Sequence, residues 1–347
     1  MSRSSEAKGV SDAPRQDTLV TGLSDEFHQL EAIRRKELWT KRVAVLATVL
    51  CGWFSLTMFA ASLKFGTGDS DRLSALGALA LIGTLVLCSL FVFGPGARYR
   101  AAYKSQVIPA LVRSIQPDMA YYSEGNFGQH WFYNSGLYKQ EYNVYESEDY
   151  LTGYIGETDF QIGEILVQNE TTYRSDGETR TSTRTIFDGL LAVAAFPGEL
   201  QGDVFVIPDF AEKHFGWLGR AFQKLGTDHG EHLLRGENPE FEKAFVVRAT
   251  DPLEASYILT PEMQKQILTL RTRLGKDLRL AFRGPQVFIA IPSTKDWFEP
   301  KFSRPASSPD QVRGLLNQLS ACFEIVEDLN LNTRIWTKHE PEEGTPR

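Results

Sequence analysis

Two uninterrupted apolar runs, Val43 to Leu63 and Leu73 to Phe93, stand nine residues apart near the N-terminus. Each is 21 residues long and holds no Asp, Glu, Lys, Arg or His. At the helical rise each spans about 31 Å, close to the hydrocarbon thickness of a bilayer. The pattern predicts transmembrane helices over 43–63 and 73–93, joined by an external loop at 64–72. Two rival readings fit less well. A signal peptide rarely follows 42 residues or carries so long a core. A helical hairpin buried in a soluble protein rarely shows such a run twice.

Elsewhere the pattern is shorter in period. Residues 1–22 are polar and predict a disordered tail. Ser24 can cap a juxtamembrane helix over 23–42, with Phe27, Leu30, Ile33 and Leu38 at helical spacing. Tyr99 to Ile115 reads as a helix bent or broken near Pro109. From Tyr121 the period changes to two: Tyr154, Ile155, Phe160, Ile162, Ile165 and Val167 read as antiparallel strands. Gln168 to Thr185 is polar and reads as a long mobile hairpin loop. Val204 to Ile207 is a strand stopped by Pro208.

The C-terminal half has clearer punctuation. Thr260 and Pro261 open a helix with Met263, Ile267, Leu270 and Leu274 on one face, and Gly275 can close it. Leu278, Leu280 and Phe282 alternate, Gly284-Pro285 turns the chain, and Val287, Ile289 and Ile291 alternate back, a hairpin with one buried face. Ser308 and Gln311 read as a capping box before a last helix striped by Val312, Leu315, Leu319, Phe323 and Val326. Residues 341–347 read as a disordered tail. The whole is a membrane-anchored α+β chain: an N-terminal transmembrane hairpin, then a mixed, mostly antiparallel-sheet cytoplasmic domain with flanking helices over 94–340.

Charge orients it. Arg34, Arg35, Lys36, Lys41 and Arg42 precede the first run, and Arg98, Arg100 and Lys104 follow the second, whereas the loop is charge-balanced. The positive-inside bias places both termini in the cytoplasm. Residues 1–104 carry net +4, and the remainder carries 24 Lys and Arg against 35 Asp and Glu. So acidic a domain argues against nucleic acid and against broad electrostatic docking on an anionic leaflet. Cys51, Cys88 and Cys322 form no disulfide framework and read as small buried hydrophobes.

Small residues recur every four positions in both runs, Ala44, Thr48 and Gly52 in the first and Ala80, Thr84 and Cys88 in the second. Such stripes let helices approach closely, within one hairpin or between copies. Neither run holds an ionisable residue, which favours a tether over a conduit and weakens the reading of an oligomeric pore or transport accessory. Trp39 suits the membrane interface. His214 to Leu225 is amphipathic; Trp217 and Phe222 are further interface candidates, or that stripe packs on its own domain.

Candidate chemistry is sparse. Asp228, His229 and His232 have helical spacing for a metal, but Gly226 and Gly230 make the segment a loop, and a solvated loop is the better reading. No nucleophile elbow, P-loop, dinucleotide fingerprint or HExxH is present. No cofactor and no catalytic residue are expected. Asn238 to Lys243 reads as an exposed charged strand entry.

The order of certain segments is familiar: Ser135-Gly136-Leu137-Tyr138, Tyr154-Ile155-Gly156-Glu157-Thr158, Phe187-Asp188-Gly189-Leu190, Val206-Ile207-Pro208-Asp209 and Pro239 to Phe245. Ala255 to Pro261, Phe298-Glu299-Pro300 and Leu329-Asn330-Leu331 to Ile335-Trp336 complete it. Over about residues 25 to 337 the chain resembles a bacterial membrane-protein family known only as domain of unknown function three-one-three-seven. Arg248, Ala249 and Ser256 depart from its usual pattern. The resemblance implies a cytosolic α+β domain behind two inner-membrane helices and supplies no activity. The expected partners are the bilayer and a protein, or a second copy. The expected function is a non-enzymatic interaction or scaffold domain tethered to the membrane, with a membrane-tethered enzyme as the alternative.

Overall fold

The computed structural model describes residues 22–62, 77, 79, 82–84, 86, 96–124, 127–175, 178–198, 200–209, 232–234 and 238–332. Both tails, the 64–72 loop, most of the second apolar run with Ala80 and Cys88, Trp217, Phe222, Asp228 and His229 lie outside these residues. The chain divides into two compact units: Met1–Ile108 with Glu299–Gly314, and Pro109–Phe298 with Leu315–Arg347.

In the first unit, α1 (Ser24–Ser62) joins the juxtamembrane segment and the first apolar run into one helix. Among the described residues it is the one helix long and apolar enough to cross a membrane. Its polar end is well anchored. Phe27 and Leu30 are buried, and so is Arg34, which pairs with Glu31 at 2.6 Å and donates to the Phe302 carbonyl at 3.4 Å. The Glu37 carboxylate accepts from the Gly96 amide at 2.7 Å. α2 (Ala97–Ile115) contributes Tyr99 and the buried Lys104, whose ammonium meets Glu299 at 2.5 Å. The helix is unbroken at Pro109. Val107, Ile108, Leu111 and Val112 are fully buried around it, and their burial offsets the roughly 3 kcal/mol that an internal proline costs. The expected Ser308–Gln311 capping box does not form through Gln311. Its side chain accepts from the Lys301 amide at 2.8 Å and donates to the Tyr99 hydroxyl at 3.1 Å. An interaction far away in sequence has taken the group that a local motif would use.

The Arg34 hydrogen bond, against opposing burial and aided by Arg35, holds the Glu31 carboxyl down at about 2. The folded value lies below the unfolded one. The ionised form therefore adds stability that is complete above about pH 4.5 and is lost as pH falls toward 2. Glu31→Gln leaves a buried guanidinium short of its acceptor and is expected to cost about 1–3 kcal/mol at pH 7. The difference from the parent should vanish near pH 2. Thermal unfolding of the detergent-solubilised chain across that range checks it; a pH-independent difference contradicts it.

The second unit is built on one nine-stranded sheet in the order β1-β2-β3-β4-β9-β8-β5-β7-β6. The strands are β1 (Met119–Glu124), β2 (Val144–Ile155), β3 (Thr158–Ser175), β4 (Glu178–Ala195), β5 (Asp203–Pro208), β6 (His232–Leu234), β7 (Phe245–Ala249), β8 (Arg279–Arg283) and β9 (Gln286–Pro292). Every pairing among the described residues is antiparallel, so the sheet is not mixed. The β8–β9 hairpin forms at Gly284-Pro285, but both of its faces are buried: Leu280, Ala281 and Phe282 in β8, and Val287 to Ile291 in β9. One face carries Phe127, Phe132, Val193, Phe205, Ala281 and Phe288. Alternate residues such as Leu190, Ala192, Leu280 and Ile289 lie buried on the other.

Helices α3 (Gln129–Ser135), α4 (Pro239–Ala244), α5 (Pro252–Ile258), α6 (Pro261–Leu274) and α7 (Pro309–Asp328) complete the described elements. Thr260 caps α6 by accepting from the Met263 amide, and the Gly275 amide closes it on Arg271. Asn238 to Lys243 is no strand entry: the Asn238 side chain accepts from the Glu240 and Phe241 amides and starts α4, with Pro239 at its first turn. Cys322 is buried on α7 and burial pushes its thiol up to about 12, whereas Cys51 on α1 is exposed.

Gln168 to Thr185 is the largest departure from the sequence reading. Its described residues are a ribbon of two strands, not a loop, paired from Gln168↔Thr185 to Ser175↔Glu178; 176–177 lie outside the described residues. Its threonines are polar yet β-branched, which suits them to a pleated strand without any apolar alternation.

Candidate functional site

A groove of about 760 Å³ opens in the second unit, within the range of small-molecule pockets. Thr185 to Asp188 of β4, the last turn of α6, the lead into β8, the segment after β9 and α7 line it, with Tyr138 from the chain after α3. Local geometry explains how these segments reach one place. Gly136 caps α3 with φ 64°, a left-handed turn that glycine adopts without strain. The turn sets Tyr138 against Phe132 and Phe187, with ring centroids 5.3 and 5.1 Å away. Gly189, with φ 142°, lets β4 approach β9 so closely that a Cβ would meet the Ile291 carbonyl at 2.3 Å. The Ser293 amide then donates to the Asp188 carbonyl at 2.9 Å and opens the Ser293–Trp297 segment over the groove.

Electrostatics divide the lining. The Arg279 guanidinium lies 4.5 Å over the Tyr138 ring, a cation–π contact. Burial pushes the Tyr138 phenol up to about 12; Arg279 opposes this and Asp277 reinforces it. Burial, then the Asp296 charge, raises the Asp188 carboxyl. Arg273 is neutralised by Glu324 and by Asp328 at 2.5 Å. The Trp297 indole N–H is buried without a hydrogen-bond partner, while the Trp297 amide donates to both Glu164 oxygens at 3.2 and 3.3 Å. Two hydroxyls on the wall are committed to local structure: Ser293 bonds the Lys295 backbone and Thr185 accepts from Gln168. The groove can therefore grip a polar ligand through Arg279, Lys295 and the carboxyls over an aromatic floor.

Glu148, Asp149 and Glu164 bring three carboxylate oxygens within 4.8 Å of one another. Their spacing would suit a divalent cation, yet each already has protein partners. Asp149 is fully buried at φ 53°, beside a bulge in β2, and its carboxylate accepts from the Tyr121 hydroxyl.

Of the residues singled out from sequence, Tyr138, Phe187, Asp188 and Pro208 of the resemblance segments line this groove, whereas the described candidates for metal binding and membrane packing are not among its lining. His232 begins β6; its proposed metal companions are not among the described residues. Ala44, Thr48 and Trp39 line an apolar cavity of about 250 Å³ in the first unit, with Thr84 on its other wall. Gly52 is half-buried on α1. Thr48 and Ser55 donate to the Ala44 and Cys51 carbonyls at 2.8 and 2.9 Å, which satisfies their hydroxyls within the helix. The groove itself escaped the sequence reading because its parts come from six distant segments. A further local trace was Ser293-Thr294-Lys295-Asp296-Trp297, a polar run with a tryptophan directly after an apolar strand.

The sequence signature of a family described as "Protein of unknown function (DUF3137)" matches residues 185–331. That span holds every lining residue of the groove except Tyr138. No curated protein matches the chain. Among solved structures, the chain is similar to the mycobacterial trehalose monomycolate transport factor A, TtfA, at 11% identity and a TM-score of 0.31, covering 63% of this chain and 92% of that one.

Proposed function

We propose that this is a bacterial inner-membrane protein whose hairpin, 43–63 and 73–93, tethers a non-enzymatic α+β interaction domain, with both termini cytoplasmic. One observation carries the reading. The apolar half of α1 leaves Val45, Leu46, Val49, Leu50, Trp53, Phe54 and Leu56 exposed, whereas Ser55 is buried. Water would penalise such a face, and lipid would not. The inward side carries the small residues Ala44, Thr48 and Gly52, which is how membrane helices pack on one another. The groove supplies the place where a partner's polar group could seat, and the unpaired Trp297 indole N–H on its wall favours binding over turnover.

Topology is testable by single-cysteine labelling in a background with the three native cysteines replaced by alanine. Gly68→Cys is expected to react with a membrane-impermeant maleimide in intact spheroplasts. Ser4→Cys is expected to react only after permeabilisation. Equal reactivity of both in intact spheroplasts would sink the proposed orientation.

A further inference from the structure

The groove lining carries more hydrogen-bond donors than the protein itself satisfies. Among its described residues, the buried side-chain atoms without a hydrogen-bond partner are Arg273 Nε, Arg279 Nε and Trp297 Nε1, and all three are donors. A buried donor with no acceptor has given up its water and gained nothing in return. A ligand that brings an acceptor recovers that loss on binding.

The three donors differ in what else holds them. Arg273 is engaged by Glu324 and Asp328, so its charge is already met. Arg279 rests on a ring instead. Its guanidinium lies over Tyr138, and among the described residues it makes no hydrogen bond and no ion pair. Tyr138 is fixed in turn by Phe132 and Phe187. A guanidinium seated on an aromatic face keeps its fork of N–H donors for a planar acceptor with two oxygens. Trp297 is fixed through its amide on Glu164 and adds one further donor.

Charge narrows the acceptor. Besides Arg273, the lining sets Arg279 and Lys295 against Asp188 and Asp277. Asp277 and Arg279 act with opposite sign on the same Tyr138 phenol, so a negative charge already stands near the guanidinium. One added negative charge is met by the guanidinium that it bonds; a second would face the aspartates without compensation. Ile186, Phe187, Pro208, Leu274 and Pro292 make the rest of the lining apolar.

We propose that the groove binds a monocarboxylate carried on an apolar or aromatic body, with Arg279 as the anchor of the carboxylate and the Trp297 indole N–H as a second donor to the same ligand. The inference rests on the reading of the groove as a place for binding rather than turnover.

The test follows the fluorine resonance of para-fluorobenzoate with the full chain in detergent, where exchange with a bound state broadens the line. Broadening beyond that caused by empty micelles is expected, and unlabelled benzoate should reverse it. Para-fluorophenyl phosphate, dianionic at about pH 8, and neutral para-fluorobenzamide should each bind at least about fivefold more weakly. Arg279→Gln should weaken para-fluorobenzoate about tenfold, with Arg279→Lys between it and the parent. Trp297→Phe keeps a ring and removes the donor, and should weaken it about threefold. Asp277→Asn should narrow the gap between the carboxylate and the phosphate. Near-ultraviolet circular dichroism of each variant should match that of the parent. Phosphate bound as tightly as benzoate overturns the proposal, and so does an Arg279→Gln chain that broadens the probe as much as the parent does. Lines no broader than with empty micelles, and no new signal, overturn it while leaving the tethered interaction domain standing. A new fluorine signal from turnover of a probe overturns the non-enzymatic reading and the proposal with it.

Discussion

Replacing Leu46 and Leu50 by arginine is expected to keep the 64–72 loop from crossing the membrane. Both leucines are exposed on α1. They stand four apart, hence on one face of the helix. An arginine costs about 2.5–3.5 kcal/mol at the centre of a membrane helix and less toward its ends, and Leu46 stands near an end, so the pair removes at most about 5–7 kcal/mol of insertion free energy. If the second apolar run spans as proposed, it still holds the chain to the bilayer, so bulk membrane retention is a poor readout. External labelling of Gly68→Cys is the informative one, and it should fall more than tenfold. Tyr133→Arg, an equally drastic change at an exposed position on α3, should leave it untouched. Labelling that persists in the double arginine variant would mean that α1 does not span.

The second large effect concerns β9. Phe288→Ala should destabilise the second unit by about 3–5 kcal/mol. Phe288 is fully buried near Trp131, between strands whose neighbours are buried on both faces. The wall of such a site cannot collapse far, because the sheet is pinned on each side, so a cavity remains and adds to the lost transfer free energy. Denaturant unfolding of the detergent-solubilised chain, followed by near-ultraviolet circular dichroism, should show the midpoint fall. Tyr173→Ala on the exposed ribbon should leave the midpoint in place. If Phe288→Ala cost no more than Tyr173→Ala, the double-sided core would be misassigned.

What could be read in the residues themselves differs from element to element. The cap at Thr260, the stop at Gly275 and the turn at Gly284-Pro285 were legible, because each depends on a few neighbouring residues with distinctive backbone chemistry. The β8–β9 hairpin was legible as a hairpin but not as a doubly covered one. Ala281 and Ala290 are apolar but small, and whether their face meets solvent or a layer of aromatics depends on segments more than a hundred residues away. The ribbon was not legible at all. Its threonines carry strand propensity but no apolar alternation, and polarity without alternation reads as a loop.

The candidate site was less legible still. Tyr138, Asp188, Arg279 and Trp297 share no single motif, and the turn at Gly136 and the close backbone approach at Gly189 that help place them are announced by no spacing rule. The Glu148, Asp149 and Glu164 cluster has the same origin, since a bulge and a left-handed residue turn Asp149 inward.

The sequence by itself determined the apolar runs, their basic flanks, the acidity of the chain beyond residue 104 and the helix ends, because composition and local capping chemistry act over a few residues. Only the tertiary structure decided which faces of the sheet are buried, which carboxylates meet and where a groove opens. It also decided that Asn143, from the chain before β2, bonds the Glu170 backbone where β3 runs past β2. Those outcomes depend on the order in which nine strands pair, which is settled by contacts between residues far apart in the chain.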